Sequence, residues 1–198
     1  MATDINQIID NLLNFYDFKN QTVISVGAGG GQFIDYGYTS KHVFAIDNDK
    51  GALGRLEDNL KEYKLQDKFT LVHSDFHDSE TKGDLVMFEF CLHEIKNPVS
   101  ALSHALTMAS NILIIDHWLD SEWAYIVDEE IKVSDSWNAV LNFKIKKIRK
   151  YKTFQYFNDY DELFQKVKIQ GHNSIKRIKK YEAMNGFSIP MSYCFALL

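Results

Sequence analysis

TVISVGAGGGQF, residues 22–33, joins a β-branched apolar run directly to a cluster of glycines. Thr22 to Val26 reads as a buried strand, because an apolar, β-branched run bounded by glycine suits a strand covered on both faces. Gly27, Ala28, Gly29, Gly30 and Gly31 then form a loop in which the chain can turn sharply and a ligand can approach the backbone. A helix is expected from about Phe33, and its N-terminus would favour negative groups. Asp47-Asn48-Asp49 ends the next apolar run, which places Asp47 where a carboxylate accepts hydrogen bonds from ribose hydroxyls. A glycine-rich turn holding no ligand would lose much conformational entropy for nothing. The loop therefore points to an adenosine-containing cofactor.

Strands and helices alternate on either side of this loop. Ile5 to Phe15 carries apolar residues at helical spacing, as does Ala52 to Tyr63. Val43–Ile46, Phe69–Val72, Leu85–Phe90 and Ile112–Ile115 read as further strands, and Pro98 opens a helix that runs to about Met108. Such alternation indicates a parallel α/β sheet with right-handed crossovers. Trp118 to about Val140 reads as mostly helical. Lys144 to Lys152 holds six Lys or Arg in nine residues and reads as a solvated helical face, with an anion-binding patch as the alternative. Tyr160–Val167 reads as a helix, and Ser174–Glu182 and Ile189–Leu198 as two closing strands joined at Asn185-Gly186. With two prolines and no Ser- or Gly-rich linker, residues 1–198 are expected to form one domain, with an N-terminal helical segment over 1–20.

Composition narrows the function. The chain has 198 residues, 45% of them hydrophobic and 25% charged, enough for a full core. A net charge of −5 argues against nucleic acid as a partner. Cys91 and Cys194 lie in apolar runs without metal-ligand spacing, so both read as free thiols in a reducing compartment. Neither a signal peptide nor an apolar run of membrane-spanning length is visible, so a cytoplasmic location without membrane contact is expected. A homodimer is left open.

The nicotinamide and flavin fingerprint GxGxxG needs a small residue at position 32, and Gln32 stands there. What remains resembles the class I S-adenosylmethionine-dependent methyltransferases. VISVGAGGGQF resembles the family's first motif, FAIDND the second, LVHSDF the third and GDLVMFEFCLHEI the fourth, in the expected order over about Thr22 to Asp116. The resemblance implies a doubly wound, mostly parallel seven-stranded Rossmann-like sheet whose last strand is antiparallel. It implies S-adenosylmethionine as the cofactor. Gly27, Ala28, Gly29 and Gly31 would meet its methionine part, Asp47 and Asn48 its ribose, and Ser74, Asp75 and Phe76 its adenine. It also implies that residues 117–160 cover the acceptor, with Trp118, Trp123, Tyr125 and Trp137 shaping that pocket. The family usually has an acid two residues before the first glycine. Ser25 stands there instead, and Glu89 is the candidate to take over its charge role.

Ligands of such sheets bind beyond the carboxyl ends of the strands. His93, Glu94, Asp116 and His117 gather there, followed by Glu122 and Glu129. His93, His117 and Glu94 are the candidate catalytic residues, a His removing a proton from the acceptor as the methyl group moves. A metal held by His93, His117, Asp116 and Glu94 or Glu122 is the alternative use of these groups, although no compact motif such as HExxH is present. The expected function is methyl transfer to a small molecule. No Asn-Pro-Pro-Tyr sequence follows the fourth strand, which argues against methylation of nucleic-acid bases. A non-catalytic S-adenosylmethionine-binding protein is the alternative from another class. A nicotinamide-dependent oxidoreductase is disfavoured by Gln32 and by the lack of a Tyr-x-x-x-Lys pair.

Overall fold

The computed structural model describes residues 2–198. Its strands are β1 (Ala2–Thr3), β2 (Thr22–Val26), β3 (His42–Asp47), β4 (Phe69–His73), β5 (Leu85–Glu89), β6 (Asn111–His117), β7 (Lys147–Asp159) and β8 (Asn185–Leu197). Its helices are α1 (Ile5–Phe15), α2 (Lys50–Glu62), α3 (Pro98–Met108), α4 (Glu122–Ile126), α5 (Glu130–Val140), α6 (Tyr160–Val167) and α7 (His172–Ile178). The strands form one sheet in the order β1-β7-β8-β6-β5-β2-β3-β4. β2 to β6 pair in parallel, and β8 runs antiparallel to both β6 and β7. The doubly wound sheet with its antiparallel close is therefore present, and the two-residue β1 adds an eighth strand at one edge.

The central strands are apolar along their length because helices cover both faces. Val23, Leu85, Met87, Leu113 and Ile115 pack on one side with Ile8 and Leu12 of α1 and Leu53, Leu56 and Leu60 of α2. Ile24, Val26, Val86, Phe88, Ile112 and Ile114 point the other way, against Ala101, Leu102 and Ala105 of α3 and Val133 and Trp137 of α5. Asn97 caps α3 by accepting a hydrogen bond from the Ser100 N–H, and Pro98 occupies its first turn, where a missing N–H costs nothing.

Three expectations need correction. The basic run is not a helical face: Lys147 to Lys152 is the first half of β7. Beyond it Thr153, Gln155 and Phe157 are buried while Phe154 and Tyr156 are exposed, the alternation of a strand with one covered face. β7 pairs with β8 along its length but with β1 only at Gln155 and Tyr156, so the basic stretch lies on an open sheet edge. Lysines on an open edge discourage pairing with another chain. Ser174 to Glu182 is not a strand: it is α7 followed by a 3-10 turn, with Ser174, Ile178 and Tyr181 buried at helical spacing. Asn185 and Gly186 accordingly open β8 rather than join two strands. Finally, the glycine loop leads into a 3-10 turn at Ile34–Tyr38 and not an α-helix. With glycines at 31 and 37 and no side-chain cap, this segment cannot sustain one. The anion-seeking helix terminus expected behind the loop is therefore missing.

Candidate active site

β2 has β3 on one side and β5 on the other, so the chain direction of the sheet's build-up reverses here. A crevice opens beyond the carboxyl ends of strands at such a switch point. Gly27 leaves β2 with φ +68°, and a Cβ there would lie 2.5 Å from the Cβ of Cys91. Gly31 has φ +78°, and a Cβ there would lie 2.5 Å from Leu56 Cδ1. The loop is thus wedged between the end of β5 and α2, and only glycine fits at both points. Gly27, Glu89 and Phe90 form a shared wall between two cavities, of about 830 Å³ and about 460 Å³.

The larger cavity is lined by Asp47, Asn48, Ser74, Asp75 and Phe76, the residues expected at the ribose and adenine. The Asp47 carboxylate accepts from the Gly29 N–H (Oδ2, 2.8 Å) and from the Asp49 N–H (Oδ1, 2.8 Å), which ties β3 to the glycine loop. Each oxygen keeps a lone pair for a ligand hydroxyl. Asp75 caps the short turn Phe76–Asp78 by accepting from the His77 N–H at 2.9 Å. Phe76 is buried edge-on against Phe88, ring centres 5.2 Å apart, and offers an apolar wall. Of the loop residues, Ala28 and Gly29 line the smaller cavity, Gly27 lines both, and Gly31 lines neither because it packs on Leu56. Asp47, Asp75, Glu89 and Glu94 all line the larger cavity, with Lys96 as its cation. Such a wall suits a positively charged nucleoside and repels the pyrophosphate of a dinucleotide. This lining, with its carboxylates and its apolar Phe76 wall, fits S-adenosylmethionine.

Ser25, which stands in place of an acid, is hydrogen-bonded to Glu89 on the neighbouring strand. Ser25 Oγ donates to Glu89 Oε1 at 2.5 Å, and Tyr36 Oη donates to the same oxygen at 2.9 Å. Burial pushes the Glu89 carboxyl up to about 7, against the two hydroxyls, which favour the ionised form, and with the negative charge of Asp47 adding to the rise. Tyr36 is itself held by stacking on Phe18, ring centres 5.1 Å apart. Nothing in the sequence near 36 marks this tyrosine, since it reaches Glu89 only through the 3-10 turn.

The two histidines differ in state. The 3-10 turn Leu92–Glu94 carries His93 back onto β6, where its Nδ1 lies 2.6 Å from Asp116 Oδ1. Its Nε2 faces Glu129 Oε2 at 3.4 Å and Glu94 Oε1 at 3.5 Å. Burial alone would lower its pKa, but Asp116 and Glu129 outweigh it and raise it to about 10. An imidazole that already holds its proton cannot take another, and His93 lines neither cavity. Burial would likewise raise Glu94, but Lys132, 2.9 Å away, holds its carboxyl below the usual range. Glu94 lines the larger cavity, not the smaller. His117 lines the smaller one. Burial pulls it down to about 4, so it is neutral, and its Nδ1 is buried without a hydrogen-bond partner. Its ring packs 5.1 Å from Phe90 and 5.7 Å from His93. Glu122 stands apart, paired with Lys180 at 2.5 Å and Tyr181 at 3.0 Å.

The smaller cavity has apolar walls from Ile5, Ile8, Phe33, Phe90, Trp123 and Met191, and polar groups from His117, Gln155 and Lys166. Of the four aromatic residues expected there, only Trp123 lines it, stacked on Phe157 with Lys166 over its face. Trp137 is core, its indole N–H donating to the His117 carbonyl at 2.6 Å, and Trp118 packs edge-on against it. Tyr125 is half exposed on the surface. The first helix contributes Ile5 and Ile8, while Phe15 and Phe18 are core residues. Gln155 and Met191 escaped the sequence reading because they come from β7 and β8, whose pairing was misassigned.

Sheet order, the glycine turn at the switch point and an acidic nucleoside cleft together define the class I, Rossmann-like methyltransferase architecture. Residues 24–110 match the family described as a methyltransferase domain. The fold is similar to that of a provisionally assigned methyltransferase from Bacillus halodurans C-125 (15% identity, 96% of this chain and 97% of that one, TM-score 0.73). It is also similar to magnesium protoporphyrin IX methyltransferase from Synechocystis PCC 6803 with bound S-adenosylhomocysteine (12%, 97% and 80%, TM-score 0.60). A third is a provisionally assigned RNA methyltransferase from Pyrococcus horikoshii (17%, 97% and 83%, TM-score 0.56). At such identities the likeness is one of fold. No curated protein matches the chain. Among the described residues no helix is long and apolar enough to cross a membrane.

Proposed function

We propose that residues 1–198 act as a single domain that methylates a small, largely apolar acceptor bearing an ionisable hydroxyl, amine or thiol. The observation that carries this reading is the shared wall of Gly27, Glu89 and Phe90 between an acidic nucleoside cleft and an apolar pocket of about 460 Å³. A pocket of that volume suits a small ligand rather than a polynucleotide, and a net charge of −5 points the same way. When bound, S-adenosylmethionine supplies an activated methyl group on a sulfonium. Asp47 and Asn48 hold the ribose end, and Ser74, Asp75 and Phe76 the adenine end. Glu89, ionised beside a cation, balances the donor's positive charge from the shared wall. Ile5, Ile8, Phe33, Trp123 and Met191 exclude water from the acceptor, and Gln155 and Lys166 orient its polar end. His117, neutral and at the pocket, accepts a hydrogen bond from the acceptor's ionisable group and aligns it. Much of the rate then comes from alignment in a dry site.

Calorimetric titration with S-adenosylmethionine, S-adenosylhomocysteine and NAD tests the cleft: the first two bind and NAD does not. Asp47→Ala is expected to weaken the first two about tenfold or more, the loss of hydrogen bonds to a charged group. Formation of S-adenosylhomocysteine is then followed with small phenols, carboxylic acids, amines and thiols, and with total RNA. Turnover on RNA alone would overturn the small-molecule reading, and tight donor binding without turnover on any acceptor would mark a non-catalytic binder.

A further inference from the structure

His93, Glu129 and Glu94, the last also at the rim of the larger cavity, form a cluster to which the proposed methyl transfer assigns no chemical step. Glu129 lies at the N-terminal end of α5, His93 and Glu94 in the turn after β5, and Asp116 at the end of β6. Three segments far apart in sequence thus bring their chemistry to one point. His93 Nε2, one Glu94 oxygen and one Glu129 oxygen all lie within 4.8 Å of one another.

We propose that these three residues bind a divalent transition-metal ion of the zinc type, with Asp116 orienting His93 from behind. The N···O separations of 3.4 and 3.5 Å are long for N–H···O hydrogen bonds, which cluster at about 2.9–3.0 Å. They match the edge of a tetrahedron whose metal–ligand bonds are about 2.0–2.1 Å, roughly 3.4 Å. Asp116 supports the same use. It accepts from the backbone N–H groups of His93 (3.1 Å) and His117 (2.8 Å) and grips His93 Nδ1 at 2.6 Å, which leaves Nε2 turned to the glutamates. A carboxylate behind a histidine is the usual way a metal-ligating ring is fixed. Charge points the same way. Asp116, Glu94 and Glu129 bring three negative charges around one imidazole, and Lys132 at Glu94 Oε2 offsets one of them. A divalent ion on a neutral ring offsets the other two, whereas an imidazolium offsets one. His93 and Glu129 are nearly enclosed while Glu94 is half exposed, so the ion enters past Glu94 and has a fourth position for water or a ligand. His117 and Glu122, weighed as ligands from the sequence, are not in this set.

The test is direct metal binding, read without any methyl acceptor. Zn²⁺ is titrated into the chelator-treated full chain, and bound metal is counted after gel filtration. Co²⁺ is used as a coloured probe of coordination. Expected are one Zn²⁺ per chain, a raised melting temperature with Zn²⁺, and the visible bands of tetrahedral Co²⁺. Glu129→Gln should weaken binding at least tenfold while the chain stays folded, and His93→Ala should abolish it. Should His93→Ala fail to fold, Glu94→Gln replaces it with the same expectation. No stoichiometric metal in the wild-type chain, or retention unchanged in Glu129→Gln, overturns the proposal and leaves the cluster as an ion-paired imidazolium. S-adenosylmethionine binding, measured in parallel, reports on the methyltransferase reading separately.

Discussion

The two cavities that meet at Gly27, Glu89 and Phe90 are built in opposite ways. The donor cleft is made from strand ends in the parallel half of the sheet: Gly27 after β2, Asp47 and Asn48 after β3, Ser74 to Phe76 after β4, Glu89 at β5. Each element reaches it at the same place, its carboxyl end, so the residues come as short contiguous motifs. The proposed acceptor pocket takes Gly27 to Gly30, Gln32 and Phe33 from the glycine loop, and one or two residues from each of α1, β6, α4, β7, α6 and β8. It has polar groups of a different kind as well: beside the shared Glu89 stand a neutral histidine, two amides (Gln32 and Gln155) and a lysine. A cleft that binds an invariant donor can be written into strand ends. A pocket shaped to one acceptor is assembled from whatever the outer elements place there.

The sharpest way to break this contrast is to remove the neutral histidine of the proposed acceptor pocket. His117→Ala is expected to lower kcat/KM by about tenfold to a hundredfold once an acceptor is known, the loss of an aligning hydrogen bond. Donor affinity should stay within a factor of two or so, because His117 lines only the acceptor pocket. An equal loss in donor affinity would mean that the two cavities are one site. Trp123→Ala probes the same side by packing. Trp123 is buried against Phe157, so its removal should raise KM for the acceptor about tenfold and lower the melting temperature, by a loss of about 3–5 kcal/mol. Calorimetry with the donor alone should again change little.

What the sequence disclosed follows the same division. That Asp47 and Asp75 meet at one cavity was legible, because apolar strands that end in acids are local patterns. The nearness of Ser25 and Glu89 was legible too, since both lie at or near the ends of strands that pair in the sheet. Tyr36 was not, because its reach to Glu89 depends on a 3-10 turn that glycines make unpredictable. On the acceptor side, the alternation of Thr153, Gln155 and Phe157 was present but hidden behind six basic residues read as a helix face. The helical spacing of Ser174, Ile178 and Tyr181 was masked by the β-branched isoleucines beside it. The misread β7 hid one lining residue of the smaller pocket, Gln155. His93 and His117 were equally visible as residues, but burial with or without a carboxylate on the ring sets opposite charge states, and no sequence pattern carries that.

Glu89, on the shared wall, sharpens the comparison through pH. Its carboxyl titrates at about 7 in the folded protein and near the ordinary value of 4.5 when unfolded. A raised folded pKa means that stability present below pH 4.5 is lost as pH climbs to 7 and stays lost above it, by up to about 3 kcal/mol. Glu89→Gln, whose amide oxygen can still accept from Ser25 and Tyr36, should therefore raise the melting temperature of the ligand-free chain at pH 8 and not at pH 4. Donor binding should respond the other way. A cationic donor favours the ionised carboxylate, so wild-type affinity should fall as pH drops below 7, by up to about tenfold per unit, and Glu89→Gln should bind weakly at every pH. A pH-independent affinity in the wild type would remove Glu89 from the cation's surroundings.

The finest cut is Tyr36→Phe. It deletes a phenol that donates to Glu89 Oε1 at 2.9 Å and leaves the ring stacked on Phe18. That hydrogen bond favours the ionised carboxylate, so losing it should move the midpoint of the donor-affinity profile above 7, with a plateau at high pH close to wild type. At pH 7 the deficit should be a few-fold, and at pH 8.5 it should largely disappear. A structural role for Tyr36 would instead lower affinity equally at all pH values, because misplaced loop glycines do not recover when a carboxyl ionises. The acceptor's KM should be unmoved in either case, since Tyr36 lines neither cavity. A shift in that KM would mean that the wall at Glu89 couples the two sides rather than dividing them.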